Sequence, residues 1–508
     1  MKNFISSLKY PKPNKDLDLG DAVILLVLMF FSFITRDFRV QYPAARIFDE
    51  IYFGNFSNYY LNREYFFDIH PPLGKLTFAF FAWLSKDPAT TNYFSAIEKY
   101  LEKDYITLRQ TAASVSSLVC PFAFLGLRFF GFSRLCSVFG AFYLAIESML
   151  IVEGRLILTD GILHASVMFC IFSLSYSTIF PDSTVALILL GVSTGCAISV
   201  KYTGMSVLVV IGIHQILEAT GGNLYTLFRS SDKDSLGSNE IISFSKFQYM
   251  KKKLHYAFYY IKSTPLHIVT YRMIVICFVA FGFMFIMFAF HIIILSNNGP
   301  GNGMMDSEFL RTIMSKSTAD RSNRTQLISL PYRVLKLINR MHSANMGITQ
   351  KHSAQSNWYD WPFLRTKSIP YYTNHHMSLV LHPNPFVWIS AVIGAFLSLF
   401  LSMLAFFYSN YDLLHISIFP AAYFSSWLPF ALIPRSIFIY HYLVPLMMGV
   451  LCFATFIDVV FQHYKTFRAC FFFISIVCAF ISWIFFSPWS YAMVGYDWGI
   501  RQWYRNMW

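Results

Sequence analysis

One polar segment near the start of the chain concentrates the residue types that acid–base chemistry needs. Within about 27 residues it holds Asp49, Glu50, Asp68, His70 and Lys75. Adjacent side chains point in different directions on a helix or a strand, so one member of the Asp49–Glu50 pair can face a reacting group while the other faces the substrate or the backbone. A solvated loop whose charges cap neighbouring helices is an equally simple interpretation of these residues taken alone.

The elements that position this segment are predicted to be membrane helices. Of the 508 residues, 56% are hydrophobic, 19% are aromatic and only 13% are charged, whereas soluble domains carry about 25% charged residues. This composition excludes a water-soluble globule, a disordered chain and a disulfide scaffold, and it predicts an all-α polytopic membrane protein. The formal net charge of +13 indicates basic loops that face anionic membrane lipid, and no nucleic-acid partner is expected.

Eleven apolar runs are candidate transmembrane helices. They cover residues 22–35, 110–127, 135–146, 161–181, 183–200, 202–217, 273–295, 385–408, 413–434, 436–457 and 469–486. The first and third runs are shorter than the usual spanning length of about 18 residues. Both are retained because flanking charged side chains can snorkel to the interface.

An odd number of spans puts the two termini on opposite sides of the membrane. The predicted parts are a tail 1–21, a transmembrane half 22–217 with a loop 36–108, a second loop 218–272, and a transmembrane half 273–508 with a loop 296–384. Lysines in the tail and at residues 251–253 assign the tail and the 218–272 loop to the cytosol by the positive-inside rule. The acidic pair then lies on the opposite face, directly after the first span, where ionisable residues indicate function.

Motifs along nearly the whole chain resemble the signature of protein O-mannosyltransferases, the dolichyl-phosphate-mannose-dependent enzymes of the GT-C fold. The match begins with Phe48-Asp49-Glu50 and continues in the run from Tyr65 to Lys75. Later matches are Glu153-Gly-Arg155 with Asp160, the stretch 199–204, residues 296–309, His352, Asn384-Pro385, Arg435 and His441.

This resemblance implies a GT-C fold of about eleven transmembrane helices in the endoplasmic reticulum membrane, with a cytosolic N-terminus, a lumenal C-terminus and a lumenal catalytic loop in the 36–108 segment. It implies transfer of mannose from dolichyl phosphate mannose to Ser or Thr hydroxyls of secretory proteins, with inversion at the anomeric carbon. The implied partners are membrane lipid, the acceptor proteins and a family member in a homodimer or heterodimer. The lipid-linked donor takes the place of a cofactor, and no metal is expected because no His, Cys and Asp residues have zinc spacing.

The chemistry requires a base. A hydroxyl is a weak nucleophile at neutral pH, so a positioned carboxylate must accept its proton. Asp49 matches the family's aspartate for that role, and Glu50 would then position acceptor groups. Asp68 and His70 match the second half of the loop signature, and they would support the loop, orient Asp49 or line the donor site.

The leaving phosphate requires neutralisation of its charge, for which arginine is well suited. Arg109, which opens the second span, matches the family's phosphate-contacting arginine. Arg36, at the end of the first span, falls at a second family arginine position. For either residue the simpler interpretation is an arginine that snorkels to the membrane interface.

The sequence departs from the family pattern in the segment between Phe309 and Pro331. Most members carry three β-trefoil MIR repeats in the large lumenal loop, whereas Phe309 and Pro331 are only about twenty residues apart here. The repeats are therefore expected to be missing, which puts the selection of acceptors in question. The competing hypotheses are another polyprenyl-phosphate-sugar-dependent GT-C glycosyltransferase, an inactive partner subunit, and a transporter or scaffold; transporters usually have repeated halves and charges near the midplane.

Overall fold

The computed structural model describes residues 2–86, 105–227, 264–314, 328–348 and 350–494. In these ranges the α-helices are α1 (Lys2–Ser7), α2 (Leu19–Asp37), α3 (Glu50–Asn62), α4 (Leu73–Leu84), α5 (Tyr105–Ser117), α6 (Val119–Phe129), α7 (Arg134–Ala145), α8 (Ser148–Arg155), α9 (Asp160–Ile179), α10 (Thr184–Val200), α11 (Ser206–Thr220), α12 (Pro265–Ile294), α13 (Ser307–Met314), α14 (Leu330–Met346), α15 (Pro385–Phe407), α16 (Ile418–Trp427), α17 (Leu443–Val460) and α18 (Lys465–Ser490). One antiparallel hairpin joins β1 (Ile369–Thr373) to β2 (Ser378–Leu381).

Each of the eleven predicted spans coincides with a helical segment. Within the described ranges, eight are long and apolar enough to cross a membrane, namely α2, α5 with α6, α9, Tyr202–Thr220, α12, α15, Ile439–Val460 and α18. The other three are irregular: α7 and α8 meet at a bend of 58°, α10 is shorter, and the 413–434 run is α16 flanked by two 3-10 turns. The prediction of an all-α polytopic membrane protein is confirmed.

The first span is longer than predicted because charged residues cap and anchor its beginning. Asp18 accepts a hydrogen bond from the Asp21 backbone N–H at 2.9 Å, which starts α2 at Leu19. The buried Asp21 carboxylate is held by Arg128 at 3.0 Å and by Arg134 at 2.9 Å. A negative charge in the first turn also complements the helix dipole. These contacts fasten the start of α2 to the connection between α6 and α7.

Small residues allow the central helices of the C-terminal half to pack closely. A Cβ atom added to Gly394 of α15 would lie 2.4 Å from the backbone nitrogen of Phe453 in α17. One added to Gly449 of α17 would lie 2.8 Å from the carbonyl oxygen of Ala391. Close backbone approach at small residues is a main source of helix association in membranes. As a result α17 is buried along almost its whole length.

Two further helices, α13 and α14, follow α12. α13 ends at Met314 and α14 begins at Leu330, and residues 315–327 between them lie outside the described ranges. The buried side of α14, Val334, Leu337 and Met341, packs in one cluster with Phe288 and Ile292 of α12. α14 therefore packs directly on the membrane helix α12.

The hairpin is an addition to the predicted all-helical architecture. Ile369 pairs with Leu381 and Thr373 with Ser378. All four residues of β2 are buried, and the hairpin packs against α8 and α18. It therefore brings a segment of the C-terminal half next to α8 of the N-terminal half.

Candidate active site

Asp49 lies directly before α3, where the backbone turns into the helix. Its carbonyl accepts the amide hydrogens of Tyr52 (2.9 Å) and Phe53 (3.1 Å), while its side chain makes no capping hydrogen bond. The preceding residue, Phe48, has φ +50°, a left-handed conformation that residues other than glycine seldom adopt. The Asp49 carboxylate is half-buried and is not used by the helix.

The surroundings of Asp49 suit a proton acceptor. Burial raises the pKa of its carboxyl group to about 6. The ammonium group of Lys201 opposes this shift, and the like charges of Asp160 and Asp68 reinforce it. A general base is most effective when its pKa lies near the working pH. Asp49 therefore has the titration behaviour expected of a residue that takes a proton from a hydroxyl.

Glu50 turns away from Asp49 and into the protein. Its carboxylate forms a two-pronged ion pair with Arg109, at 2.8 Å from Nε and 2.7 Å from Nη2, and both side chains are fully buried. The same carboxylate accepts the backbone N–H groups of Ile47 (3.1 Å) and Ile157 (3.0 Å). The other guanidinium contacts are with carbonyls of the α2–α3 loop (residues 38–49), those of Val40, Pro43 and Ala45. This pair ties the α2–α3 loop to α5 and to the α8–α9 connection.

The two arginines expected at the donor phosphate are both occupied within the protein. The guanidinium of Arg109 is committed to Glu50 and to the loop. Arg36 is fully buried inside the bundle, where it donates to the Ser32 carbonyl at 3.2 Å and to the Leu144 carbonyl at 3.3 Å. All three side chains make internal bonds in this structure, although the buried Nε of Arg36 has no hydrogen-bond partner among the described residues. The contacts of the arginines with phosphate and of Glu50 with the acceptor stay predictions.

Asp68 and His70 belong to a second polar cluster, centred on Lys75. The Lys75 ammonium lies 2.5 Å from an Asp68 oxygen and 2.6 Å from the His70 carbonyl. Burial by itself raises the pKa of Asp68, but the adjacent Lys75 keeps it below its usual value. Burial lowers the pKa of His70 to about 3, so that its imidazole is neutral at pH 7. Asp68 thus contributes a fixed negative charge that reaches Asp49.

A buried ion pair on the helical bundle completes the charged surroundings of Asp49. Lys201, at the end of α10, lies 2.8 and 2.6 Å from the two carboxylate oxygens of Asp160, at the start of α9. The Lys201 ammonium is also 5.7 Å from the centre of the Tyr440 ring. A small cavity at this pair is lined in addition by His164 and His441. The site therefore combines residues from both halves of the chain.

Aromatic residues of the C-terminal half cover Phe48. The ring of Tyr371 stacks on it at 5.0 Å between ring centroids and 14° between ring planes. Tyr440 and Phe438 lie edge-on to it at 5.9 and 6.5 Å. The Tyr371 hydroxyl donates a hydrogen bond to Glu153 of α8. The residue before Asp49 is thus enclosed by β1 and by the segment that precedes α17.

Sequence reasoning identified some of these residues only as motif matches. Glu153, Asp160 and Lys201 were matched to the family signature without a role, and Tyr371 and Tyr440 were missed. Asp160 and Lys201 stand at the ends of long apolar runs, where a charge is itself a signal of function. The two tyrosines carry no such signal, because tyrosine is common at membrane interfaces whatever its function.

An apolar groove of about 710 Å³ runs beside α3 and α4. Its apolar walls are formed by Leu73, Leu76, Phe80, Met287, Phe290 and Ile294. At one point the groove is lined by Tyr60, whose hydroxyl is 2.7 Å from Nδ1 of His291. Phe80 and Phe290 remain exposed, so the groove opens toward the region that lipid would occupy. Its lining suits a hydrocarbon chain.

Among the described residues, no group of three or more His, Cys, Asp or Glu side chains could hold a metal ion. The absence of a metal stays a prediction.

Two family models match the chain in sequence. Residues 26–295 match the model described as dolichyl-phosphate-mannose-protein mannosyltransferase. Residues 332–508 match the C-terminal four-transmembrane region of protein O-mannosyltransferase.

Individual relatives match over part of their length. The chain is 29% identical to dolichyl-phosphate-mannose–protein mannosyltransferase 4 of Candida albicans, over 62% of this chain and 38% of the relative. It is 28% identical to the Saccharomyces cerevisiae protein of the same name, over 60% of this chain and 37% of the relative. The chain thus spans less than two fifths of the length of these relatives.

A solved structure has the same fold. It is the S. cerevisiae protein O-mannosyltransferase Pmt1-Pmt2 complex bound to the sugar donor, with a TM-score of 0.79 and 15% sequence identity. The superposition covers 99% of this chain and 94% of the matched chain.

Proposed function

Because the chain belongs to the dolichyl-phosphate-mannose–protein mannosyltransferase family, we propose that it transfers mannose from dolichyl phosphate mannose to Ser and Thr hydroxyls of secretory-pathway proteins. The observation that carries this proposal is the half-buried Asp49, whose pKa of about 6 fits a general base. The intact buried pair of Glu50 and Arg109 beside it supports an active enzyme over an inactive partner subunit.

The reaction is a single displacement. The acceptor hydroxyl oxygen attacks the anomeric carbon while the Asp49 carboxylate takes the hydroxyl proton. The bond between the anomeric carbon and the phosphate oxygen breaks, and its electron pair leaves with dolichyl phosphate. One displacement inverts the anomeric carbon and requires one base and no carboxylate nucleophile, as in inverting glycosidases.

The arginine and lysine side chains of the candidate site have different roles in the proposed mechanism. The closed hydrogen-bond set of Arg109 supports a positioning role, in which it fixes the α2–α3 loop through Glu50. Arg36, bonded within the bundle, would support the same framework. Lys201, held by Asp160, acts electrostatically on Asp49, and contact of Arg109 or Arg36 with the leaving phosphate stays a prediction. Asp68 and His70 hold the polar cluster at the start of α4.

The same proposal covers the donor lipid, the orientation in the membrane and the partner. The apolar groove beside α4 would take the polyprenyl chain of the donor. The 36–108 and 296–384 loops would face the lumen of the endoplasmic reticulum, the 218–272 loop and residues 1–21 the cytosol, and the C-terminus the lumen. Contacts between Phe48 and Tyr371 support one face for the two large loops. A second family member, in a homodimer or heterodimer, is the proposed partner.

The test is transfer of mannose from dolichyl phosphate mannose to a Ser/Thr-rich peptide by membranes that contain the chain. Asp49→Asn keeps the shape of the side chain and removes the base, so we expect a loss of about 10²- to 10⁴-fold. Asp182→Asn is the matched control, because Asp182 is an exposed carboxylate 3.9 Å from Arg272, just beyond the end of α9 that is opposite Asp160. It should retain native activity.

The outcomes separate the competing functions. Equal activity of native protein and Asp49→Asn would eliminate Asp49 as the base. Transfer to a lipid or a sugar, and none to peptide, would identify another GT-C glycosyltransferase. If the native chain is inactive alone, the assay is repeated with a co-expressed family member, and activity that then survives Asp49→Asn would identify this chain as an inactive partner subunit.

A further inference from the structure

We propose that Tyr371 is a positioning residue for the transfer reaction, because it holds Phe48 and thereby fixes the direction of the Asp49 carboxylate. The inference rests on the proposed function, since it concerns the geometry of the proposed base. It adds a requirement: the hairpin β1–β2, which lies far along the chain from Asp49, is part of the apparatus that makes the base effective.

The first step of the argument is the backbone of Phe48. Its φ of +50° lies in the left-handed region, where the side chain of a residue other than glycine crowds its own backbone. Such a conformation persists only when the surroundings hold it. Here the surroundings are three aromatic rings, and the one stacked face to face at 5.0 Å belongs to Tyr371.

The second step is the anchoring of Tyr371 itself. Its hydroxyl donates to the carboxylate of Glu153, a residue of α8 that is almost completely buried. Tyr371 is the bulged residue of β1: its neighbours Pro370 and Tyr372 pair with Val380 and Leu379, and the hairpin packs on α8 and α18. The Tyr371 ring is therefore held at its hydroxyl by the bond to Glu153, and at its backbone by the paired residues on either side.

The third step connects Phe48 to the reacting group. Asp49 follows Phe48 directly, and its carbonyl begins α3. A change in the Phe48 dihedral angles must rotate the bond from Cα to Cβ of Asp49. The base has to reach a hydroxyl proton within hydrogen-bond distance, and a misplacement of about 1 Å can cost about 10²-fold in rate.

The chain offers a matched control for this role. Tyr372 is the adjacent residue of β1, and it is half-buried like Tyr371. Its hydroxyl accepts a hydrogen bond from Asn374 within the hairpin. A substitution at Tyr372 perturbs the same strand. Of the two tyrosines, however, it is Tyr371 that stacks on Phe48.

The experiment measures mannose transfer by the full chain and by Tyr371→Leu, Tyr371→Phe and Tyr372→Leu. We expect Tyr371→Leu to lower kcat by about 30- to 100-fold with the KM for the donor unchanged. Tyr371→Phe keeps the stacked ring and should lose no more than about fivefold, while Tyr372→Leu should remain within about twofold of native. A purely structural role would instead lower the amount of folded protein and leave the kcat of that fraction unchanged.

Hydrogen–deuterium exchange of residues 47–53 provides a readout that does not require activity. If Tyr371 holds Phe48, exchange there accelerates in Tyr371→Leu and stays native in Tyr372→Leu. Native exchange together with native kcat in Tyr371→Leu would overturn the inference while leaving the proposed function intact. Equal losses in Tyr371→Leu and Tyr372→Leu would overturn it as well. If the native chain is inactive even with a co-expressed family member, the proposed function is wrong. Exchange of residues 47–53 would still test the contact separately, because native exchange in Tyr371→Leu would show that Tyr371 does not hold Phe48.

Discussion

Asp49 and Glu50 are neighbours in sequence, yet the fold gives them opposite surroundings. Glu50 is the first residue of α3 and points into the protein, where Arg109 and two backbone N–H groups compensate its charge. Asp49 lies one residue outside the helix and stays half-buried near Lys201. A compensated buried carboxylate supports a loop, whereas an uncapped one with a raised pKa can exchange a proton.

The raised pKa of Asp49 predicts the acid limb of the pH profile. The carboxylate accepts a proton only when it is ionised, so kcat/KM should fall as the pH drops through about 6. Below that value the loss should approach about tenfold for each pH unit. Transfer rates measured in lipid nanodiscs from about pH 5 to pH 8 would check this. If the rate instead falls at about pH 4, the ordinary pKa of aspartate, the Asp49 carboxylate is exposed to solvent in the free enzyme.

At the scale of elements, the contact between α15 and α17 depends on the absence of side chains. Gly394→Ala would bring its Cβ to within 2.4 Å of the Phe453 backbone nitrogen, so one helix must move. We expect a loss of about 1–3 kcal/mol in the free energy of unfolding, measured as a lower melting temperature in detergent. Gly212→Ala in α11 is the control, because no atom lies within 4 Å of its added Cβ. A melting temperature that falls equally in both variants would argue against the close crossing.

At the scale of the whole molecule, the site exists because the two halves of the chain meet. Phe48 and Glu153 come from the first half, and Tyr371 and Tyr440 come from the second. The α2–α3 loop and the hairpin must therefore face the same side of the membrane. The proposed topology makes this side the lumen and assigns residues 1–21 to the cytosol.

That topology can be tested by labelling sealed microsomes with a membrane-impermeant maleimide. A background of Cys470→Ser removes the exposed native thiol. In that background Lys15→Cys should react at once, because Lys15 is exposed on the proposed cytosolic face. Asp306 is an exposed residue of the 296–384 loop, on the proposed lumenal face. Asp306→Cys should therefore react only after detergent opens the vesicles. The reverse pattern, or reaction at both positions in sealed vesicles, would contradict the assignment.

The sequence by itself determined the membrane class, the positions of the apolar helical segments and the family, because apolar runs and short motifs are local properties of the chain. The pattern of residues also marked the Asp49–Glu50 pair, and the resemblance to the family indicated Asp49 as its base. Only the tertiary structure separated the surroundings of the two carboxylates, by closing the Glu50–Arg109 pair between a loop and a distant helix and leaving Asp49 outside it. It likewise brought Tyr371 to Phe48, from more than three hundred residues away. Contacts of that kind depend on how the helices pack, and no local pattern encodes them.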